Sequence, residues 1–207
     1  MAKLNINAIH CKTEGFMKIA VIGTHSTGKT CLTSKMFAYA SKNGINAHYI
    51  QEVARSCPLP INDGFTTEAA TWIMSKQIAL EIEARAKKPD FIICDRSCFD
   101  PIVYAIKKFN YPRYRYSLLY QYAQSVLKTY DIIINVRPSS YEIKEDGIRS
   151  IDPDFQKDIY DLFEQEFKHM EFVFIIVIFS CKFYRVVSFV NRGECECLNH
   201  WFLYLIV

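Results

Sequence analysis

The chain has 207 residues, a length at which one domain of ordinary size can bury a hydrophobic core. Half of the residues are hydrophobic and 23% are charged, a composition that excludes an intrinsically disordered protein. The 25 lysines and arginines nearly balance the 22 acidic residues and leave a net charge of +3, so charge alone does not indicate a nucleic-acid partner.

Residues 1–16 show no clear periodicity, and we predict that they form an N-terminal extension, with Met17 as an alternative start. They contain no long apolar run of the kind found in a signal peptide. The longest apolar stretch of the chain, Phe172–Phe179, is far shorter than the roughly 20 residues that cross a bilayer. The eight cysteines do not follow the spacing of a secreted disulfide framework. We therefore expect a cytoplasmic protein with no membrane partner.

The first half of the chain is predicted to alternate between strands and helices. In order, the pattern predicts a strand at Lys18–Ile22, a helix at Lys29–Lys42, a strand at Ala47–Gln51 and a long helix at Thr66–Lys88. The first helix is expected to end at Asn43-Gly44, since both residues tolerate left-handed backbone conformations. A loop that contains Pro58, Pro60 and Gly64 precedes the second helix.

The second half continues the alternation. In order, we expect a strand at Phe91–Cys94, a tyrosine-rich helical stretch over about 99–129 interrupted near Pro112, a strand at Asp131–Val136, a helix at Pro153–His169 and a strand at Phe172–Phe179. All-apolar strands are typical of parallel sheets covered on both faces. The alternation therefore predicts an α/β fold in which right-handed crossovers join the strands of a parallel sheet.

One glycine-rich segment carries the strongest signal in the sequence. The pattern G-x-x-x-x-G-K-[ST], the Walker A element or P-loop, is matched in full by Gly23, Thr24, His25, Ser26, Thr27, Gly28, Lys29 and Thr30. Successive N–H groups of such a loop hold phosphates at the amino end of a helix, where the helix dipole favours negative charge. Lys29 can reach the β- and γ-phosphates, and the Thr30 hydroxyl can bind Mg²⁺. We predict that ATP and Mg²⁺ bind here.

Asp95 follows the buried strand at Phe91–Cys94, where a Walker B carboxylate would lie. A carboxylate at this place can hold Mg²⁺ or accept a proton from an attacking hydroxyl. The alternative is that it caps the helix that follows. We predict that Asp95 binds the metal together with Thr30 and contributes to catalysis together with Lys29.

Several charged residues stand near the carboxyl ends of predicted strands, the edge at which open α/β sheets bind ligands. Arginine suits phosphate because its planar guanidinium binds two oxygens at once and stays charged. We expect Arg55 and Arg96 to contact substrate, and we place Arg149, in a polar segment that can close as a lid, as the cation that stabilises the transition state. Glu52 can bind substrate or hold Arg55.

The tyrosine-rich stretch needs a separate interpretation. A pattern similar to an aromatic and basic nucleic-acid patch is formed by Tyr111, Tyr114, Tyr116, Tyr120 and Tyr122 with Arg113 and Arg115. A half-buried helical cover over the sheet explains the same residues, and we favour it. A nucleic-acid partner is therefore disfavoured.

The segment MKIAVIGTHSTGKT at 17–30 resembles the ATPase-domain family that includes the nicotinamide riboside kinase domain of bacterial NAD regulators. The resemblance continues through Glu52-Val53-Ala54-Arg55, through the Trp72-containing helix with Gln77 and Glu81, and through Cys94-Asp95-Arg96-Ser97 and Asp146-Gly147-Ile148-Arg149. It covers about 17–169. It implies a three-layer P-loop NTPase fold like that of nucleoside and nucleotide kinases, with strand order 2-3-1-4-5.

Residues 180–207 depart from this family. The resemblance implies an amphipathic helix and a loop over the adenine, whereas the chain has aromatic and cysteine-rich runs such as CKFYRVVSFV. We therefore divide the chain into the extension 1–16, a P-loop NTPase domain at 17–179 and an atypical C-terminal tail at 180–207.

The leading functional hypothesis is an ATP-dependent kinase whose partner is a small hydroxyl-bearing phosphoryl acceptor, such as a nucleoside. The alternatives are a regulatory or switch ATPase that acts on a protein partner, and an inactive nucleotide-binding module. A guanine-specific GTPase is disfavoured, because no N-K-x-D element occurs in the sequence.

Overall fold

The computed structural model describes residues 15–61, 64–109, 117–138 and 152–170, together with the backbone of 174–180 and 183–190. The strands are β1 (Met17–Ile22), β2 (Ala47–Ile50), β3 (Phe91–Asp95), β4 (Ile132–Arg137), β5 (Phe174–Ser180) and β6 (Phe183–Val190). The helices are α1 (Lys29–Lys42), α2 (Thr67–Ala86), α3 (Asp100–Phe109), α4 (Leu118–Leu127) and α5 (Pro153–His169). A short 3-10 helix, Val53–Ser56, follows β2.

The strands form one sheet in the order β2-β3-β1-β4-β5-β6. The pairs β2–β3, β3–β1 and β1–β4 are parallel, which confirms the predicted parallel α/β fold and its strand order 2-3-1-4. The backbone of β5 continues the parallel sheet beside β4. Because the carboxyl ends of parallel strands lie at one edge, the residues that follow β1, β2 and β3 come together there.

Side chains alternate between the two faces of each strand, and both faces are covered. Ile19 and Val21 of β1 pack with Leu32 and Met36 of α1 on one face. On the other face, the buried cluster combines alternate strand residues with residues of α2, α3, α4 and α5, among them Ile73, Ile102, Tyr120 and Phe163. The sheet is therefore the middle layer between α1 and the remaining helices.

Helix ends follow the capping chemistry expected from their sequences. The Thr66 side chain accepts a hydrogen bond from the backbone of Ala69 at 3.2 Å and begins α2 one residue later than predicted. Gly44, just beyond the Asn43 cap of α1, has a φ of 68°, as a left-handed end requires. The tyrosine-rich stretch divides into α3 and α4, and residues 110–116 between them lie outside the described part of the chain.

The end of the sheet differs from what the family resemblance implies. The backbone of Phe183–Val190 pairs antiparallel with β5 as a sixth strand, where an amphipathic helix was expected. Valine, phenylalanine and tyrosine dominate this segment, and such residues favour strands over helices. Within the described residues, none of the helices combines the length and apolar character that a membrane crossing requires.

Candidate active site

The P-loop connects β1 to α1 at the carboxyl edge of the sheet, as predicted. Gly23 has a φ of 122° and Gly28 a φ of 86°, conformations that residues with a β-carbon rarely adopt. A β-carbon on Gly23 would lie 2.8 Å from the Val136 carbonyl and 2.9 Å from Oδ1 of Asn135. The loop therefore requires glycine at its first position both for the backbone angle and for the space beside β4.

Lys29 is folded into the loop. Its side chain is only 4% exposed, and its ammonium donates to the carbonyl oxygen of Thr24 and to Oγ1 of Thr27, the latter at 3.3 Å. The Thr27 hydroxyl in turn donates to the Thr24 carbonyl at 3.1 Å. The Lys29 ammonium is thus held by oxygens of the P-loop, and it can exchange these partners for phosphate oxygens.

Thr30 and Asp95, the two predicted metal ligands, are in direct contact. The Thr30 hydroxyl donates to Oδ2 of Asp95 at 2.6 Å. Asp95 is 1% exposed, and its Oδ1 is buried without a hydrogen-bond partner among the described residues. A hydroxyl and a carboxylate with a spare oxygen are the kind of hard ligands that Mg²⁺ uses at phosphate sites. The residues present therefore fit the predicted ion.

A cavity of about 280 Å³ opens beside the P-loop. His25 of the loop forms part of its wall, while Glu52, Arg96 and Asp100 provide charged groups. Further lining residues are apolar, among them Ile61, Phe65, Ile73 and Phe155. A small concave site with apolar walls and a few convergent polar groups is typical of a binding pocket for a small organic molecule.

A buried ion-pair network organises the polar side of this cavity. Arg96 Nε donates to Glu52 Oε1 at 2.7 Å, and Arg96 Nη1 donates to Asp100 Oδ1 at 3.0 Å and to the Gly23 carbonyl at 3.1 Å. The Ser97 hydroxyl and backbone N–H both donate to Asp100 Oδ2, at 2.7 and 2.9 Å. One arginine therefore connects the ends of β2 and β3 to the first residue of the P-loop.

Burial and charge act in opposite directions on this network. Burial disfavours the charged form of Arg96, but Glu52, Tyr104 and Asp100 outweigh burial and raise the pKa of the guanidinium well above its usual value. Burial raises the pKa of Asp100, and the charge of Arg96 opposes that shift. Arg96 is therefore a permanent cation whose charge is balanced by two carboxylates rather than exposed to solvent.

The other predicted substrate residues are placed differently. The side chain of Arg55 is 46% exposed, pairs with Glu52 through an Nε–Oε2 distance of 3.0 Å, and does not belong to the cavity wall. Glu52 therefore holds Arg55, one of the two roles expected from the sequence, and it also lines the cavity, while its contact with substrate stays a prediction. Arg149 lies outside the described residues.

Asp100, the amino end of α5 and Asn135 were not singled out from the sequence as parts of the site. The amino end of α5 reaches the P-loop, where Gln156 Nε2 donates to the His25 carbonyl at 2.9 Å and the Phe155 ring lies 6.0 Å from the His25 ring. Asn135 of β4 is fully buried beside Gly23, with no hydrogen-bond partner for its amide among the described residues. The signal for Asn135 was a single amide directly after the three isoleucines of β4.

Comparison with solved structures finds the same fold in kinases. NadR protein in complex with NR is similar at a TM-score of 0.59 and 18% identity, over 78% of this chain and 43% of that chain. Deoxyadenosine kinase from M. mycoides with bound dATP has a TM-score of 0.56 at 18% identity, with 80% and 93% covered. Thymidylate kinase from Ehrlichia chaffeensis has a TM-score of 0.56 at 17% identity, with 81% and 89% covered.

These identities are low, so the likeness shows the fold and no more. The chain spans less than half of the length of the NadR chain that it matches. No match is found among the curated proteins. A family model described as an AAA domain matches residues 18–182, which is most of the chain. The chain therefore belongs to this AAA domain family and has the fold of a P-loop kinase or ATPase like NadR.

Proposed function

We propose that this chain transfers the γ-phosphoryl group of ATP to a hydroxyl group of a small molecule such as a nucleoside. One observation carries the proposal: a cavity of the size and chemistry of a small-molecule site shares a wall with the P-loop. The Arg96 contact with the Gly23 carbonyl joins the two sites directly. An ATPase that activates only water needs no such cavity beside its phosphate loop.

Different side chains would carry different parts of the phosphoryl transfer. In phosphoryl transfer the bond from phosphorus to the leaving oxygen breaks, and a bond forms to the acceptor oxygen, which loses its proton. Lys29 would neutralise charge on the phosphates, and Thr30 and Asp95 would hold Mg²⁺, which supplies further neutralisation when bound. Arg149 remains our candidate for the cation of the transition state.

Glu52 is the group best placed to take the proton. It lines the cavity, and its two oxygens accept hydrogen bonds from Arg96 and Arg55, an arrangement that fixes the position of the carboxylate at the cavity wall. Asp95, by contrast, does not line the cavity and contacts Thr30. We therefore assign Asp95 to the metal and Glu52 to the acceptor.

A cytoplasmic location stays a prediction from the sequence.

ATP turnover by the purified chain with Mg²⁺ tests the proposal, measured with and without a panel of nucleosides that includes nicotinamide riboside. We expect one acceptor to stimulate turnover and to be recovered as its monophosphate. Lys29→Ala is the control, in which stimulation should disappear. If no acceptor stimulates the observed turnover, the regulatory ATPase hypothesis replaces this proposal. If the chain binds ATP without any turnover, the inactive nucleotide-binding module is favoured.

A further inference from the structure

The cavity beside the P-loop, in which we place the phosphoryl acceptor, is called the acceptor cavity below. Gln77 connects it to a buried polar network around Glu81. It lies in the middle of α2, is 1% exposed and lines the cavity. Its Nε2 donates to Glu81 Oε1 at 2.8 Å, one helical turn further along, and lies 3.4 Å from the Arg96 carbonyl oxygen. The side chain therefore touches both the network and the loop that carries Arg96.

The partners of Gln77 determine which way its amide points. Glu81 Oε2 forms an ion pair with Lys18 Nζ at 2.8 Å, and the Tyr130 hydroxyl donates to Oε1, so Glu81 is a carboxylate that only accepts hydrogen bonds. The Arg96 carbonyl also only accepts. Because both neighbours need a donor, the nitrogen of the Gln77 amide must face them.

This orientation leaves the carbonyl oxygen of Gln77 for the cavity. Both hydrogen bonds that Gln77 makes with described residues use Nε2, and no described group donates to Oε1. The surrounding wall is mainly apolar and includes Phe65, Ile73 and Phe155. A flat ring fits such walls, and its edge would meet a fixed hydrogen-bond acceptor.

We propose that Gln77 is a specificity-determining residue whose side-chain carbonyl accepts a hydrogen bond from an N–H group on the ring of the acceptor. The inference deepens the proposed function, on which it rests. A ring without a donor at this edge leaves the carbonyl unpaired, and a buried polar group that loses its partner carries its full desolvation cost. The acceptor class is thus a nucleoside whose base bears an amino or amide N–H.

Matched ligands test this selection directly. We would compare adenosine with purine riboside, cytidine with pyrimidin-2-one riboside, and nicotinamide riboside with 3-acetylpyridine riboside, pairs in which one member lacks the N–H donor. For each pair, the ratio of kcat/KM values and the ratio of Kd values from titration calorimetry without ATP are measured. The wild-type chain should prefer the donor-bearing member of at least one pair by about 10-fold, the size of one neutral hydrogen bond.

Gln77→Met keeps the length of the side chain and removes its carbonyl, so the ratio should fall to about one. A ratio between two ligands does not depend on how much of the variant is folded, which keeps the result interpretable if stability drops. Tyr130→Phe is the matched control, because it removes a different hydrogen bond to Glu81 from a residue outside the cavity wall. It should lower stability without changing the ratio.

The outcomes separate this inference from the proposed function. The role of Gln77 is overturned if turnover shows no preference within any pair, or if the preference survives in Gln77→Met. Either result leaves the proposed kinase activity intact. If the chain binds donor-bearing nucleosides selectively without turnover, and Gln77→Met loses this selectivity, the role of Gln77 is supported and the proposed kinase activity is overturned. If no nucleoside is either bound or phosphorylated, both are overturned.

Discussion

Single residues in backbone conformations that most side chains avoid shape the P-loop and the turn after β3. Gly23 and Gly28 have positive φ angles, and so do the non-glycine residues Ser26 and Arg96. Arg96, with a φ of 88°, turns directly after β3 and directs its guanidinium to Glu52, Asp100 and the Gly23 carbonyl. A strained backbone that is held by several hydrogen bonds is a common feature of functional sites.

Gly23→Ala should destabilise the chain by about 3 kcal/mol or more, since the new β-carbon would meet both an unfavourable φ and the Val136 carbonyl at 2.8 Å. Gly44→Ala is the control, because Gly44 also has a positive φ but no atom within 4 Å of the added carbon. It should cost only about 1 kcal/mol. Urea unfolding measures both, and equal losses would show that the contact with β4 is unimportant.

Asp95→Asn should abolish the Mg²⁺-dependent part of ATP binding and most of the turnover, while ATP binding without metal changes little. The reason is that the amide lacks the charge of the carboxylate but keeps its shape beside Thr30. Titration of ATP with and without Mg²⁺ provides the measurement, and Asp90→Asn at the other end of β3 is the control. Unchanged metal dependence would remove Asp95 from the metal site.

Two helices, α2 and α5, supply much of the cavity wall. The buried face of α2 includes Ile73, Gln77 and Glu81, so one helix supplies an apolar wall, a polar edge and a buried carboxylate at helical spacing. The amino end of α5, capped by Asp152, places Phe155 against the cavity and Gln156 against the P-loop. Of the tyrosines expected to form a half-buried cover, Tyr120 is buried and bonds to α5, whereas Tyr122 is exposed, and residues 111–116 lie outside the described part of the chain.

Tyr120→Phe should cost about 2 kcal/mol of stability, because the Tyr120 hydroxyl donates to the buried carboxylate of Glu166 at 2.8 Å and joins α4 to α5. Tyr122→Phe on the same helix should change stability by less than about 0.5 kcal/mol, since Tyr122 is 53% exposed. Chemical denaturation of the two variants gives the comparison. Similar losses at both positions would contradict the assigned role of Tyr120.

Across the whole molecule, buried polar groups connect the two ends of the sheet. Lys18, at the amino end of β1, pairs with Glu81, which binds Gln77 at the acceptor cavity near the carboxyl edge. Lys18 and Glu81 are 8% and 4% exposed, so the pair is removed from solvent. Such a pair gives little net stability, but loss of one partner leaves the other charge buried and uncompensated.

Lys18→Met should therefore lower stability by about 3–5 kcal/mol. The double variant Lys18→Met with Glu81→Gln should recover a substantial part of this loss, because no unpaired charge then remains. A double-mutant cycle in urea measures the coupling between the two residues. Losses that simply add would mean that the two charges do not interact, contrary to the observed contact.

Much of the fold could be read from the sequence because its signals are local. The bounds of α1 and α5 are those predicted, since a P-loop precedes one helix and a proline begins the other. The parallel strands β1, β3 and β4 were visible as apolar runs of the right length. Strand β6 was not predicted, because its pairing depends on contact with β5 rather than on a pattern within its own residues.

The sequence by itself determined the P-loop, because this loop is one continuous segment between β1 and α1 whose glycines set its backbone angles locally. The acceptor cavity was decided only by the tertiary structure. Its polar groups come from segments as far apart as Glu52 and Arg96, and α5 meets the P-loop across 131 residues of sequence. Strand order and helix packing bring these residues together, and no local pattern encodes distances of that kind.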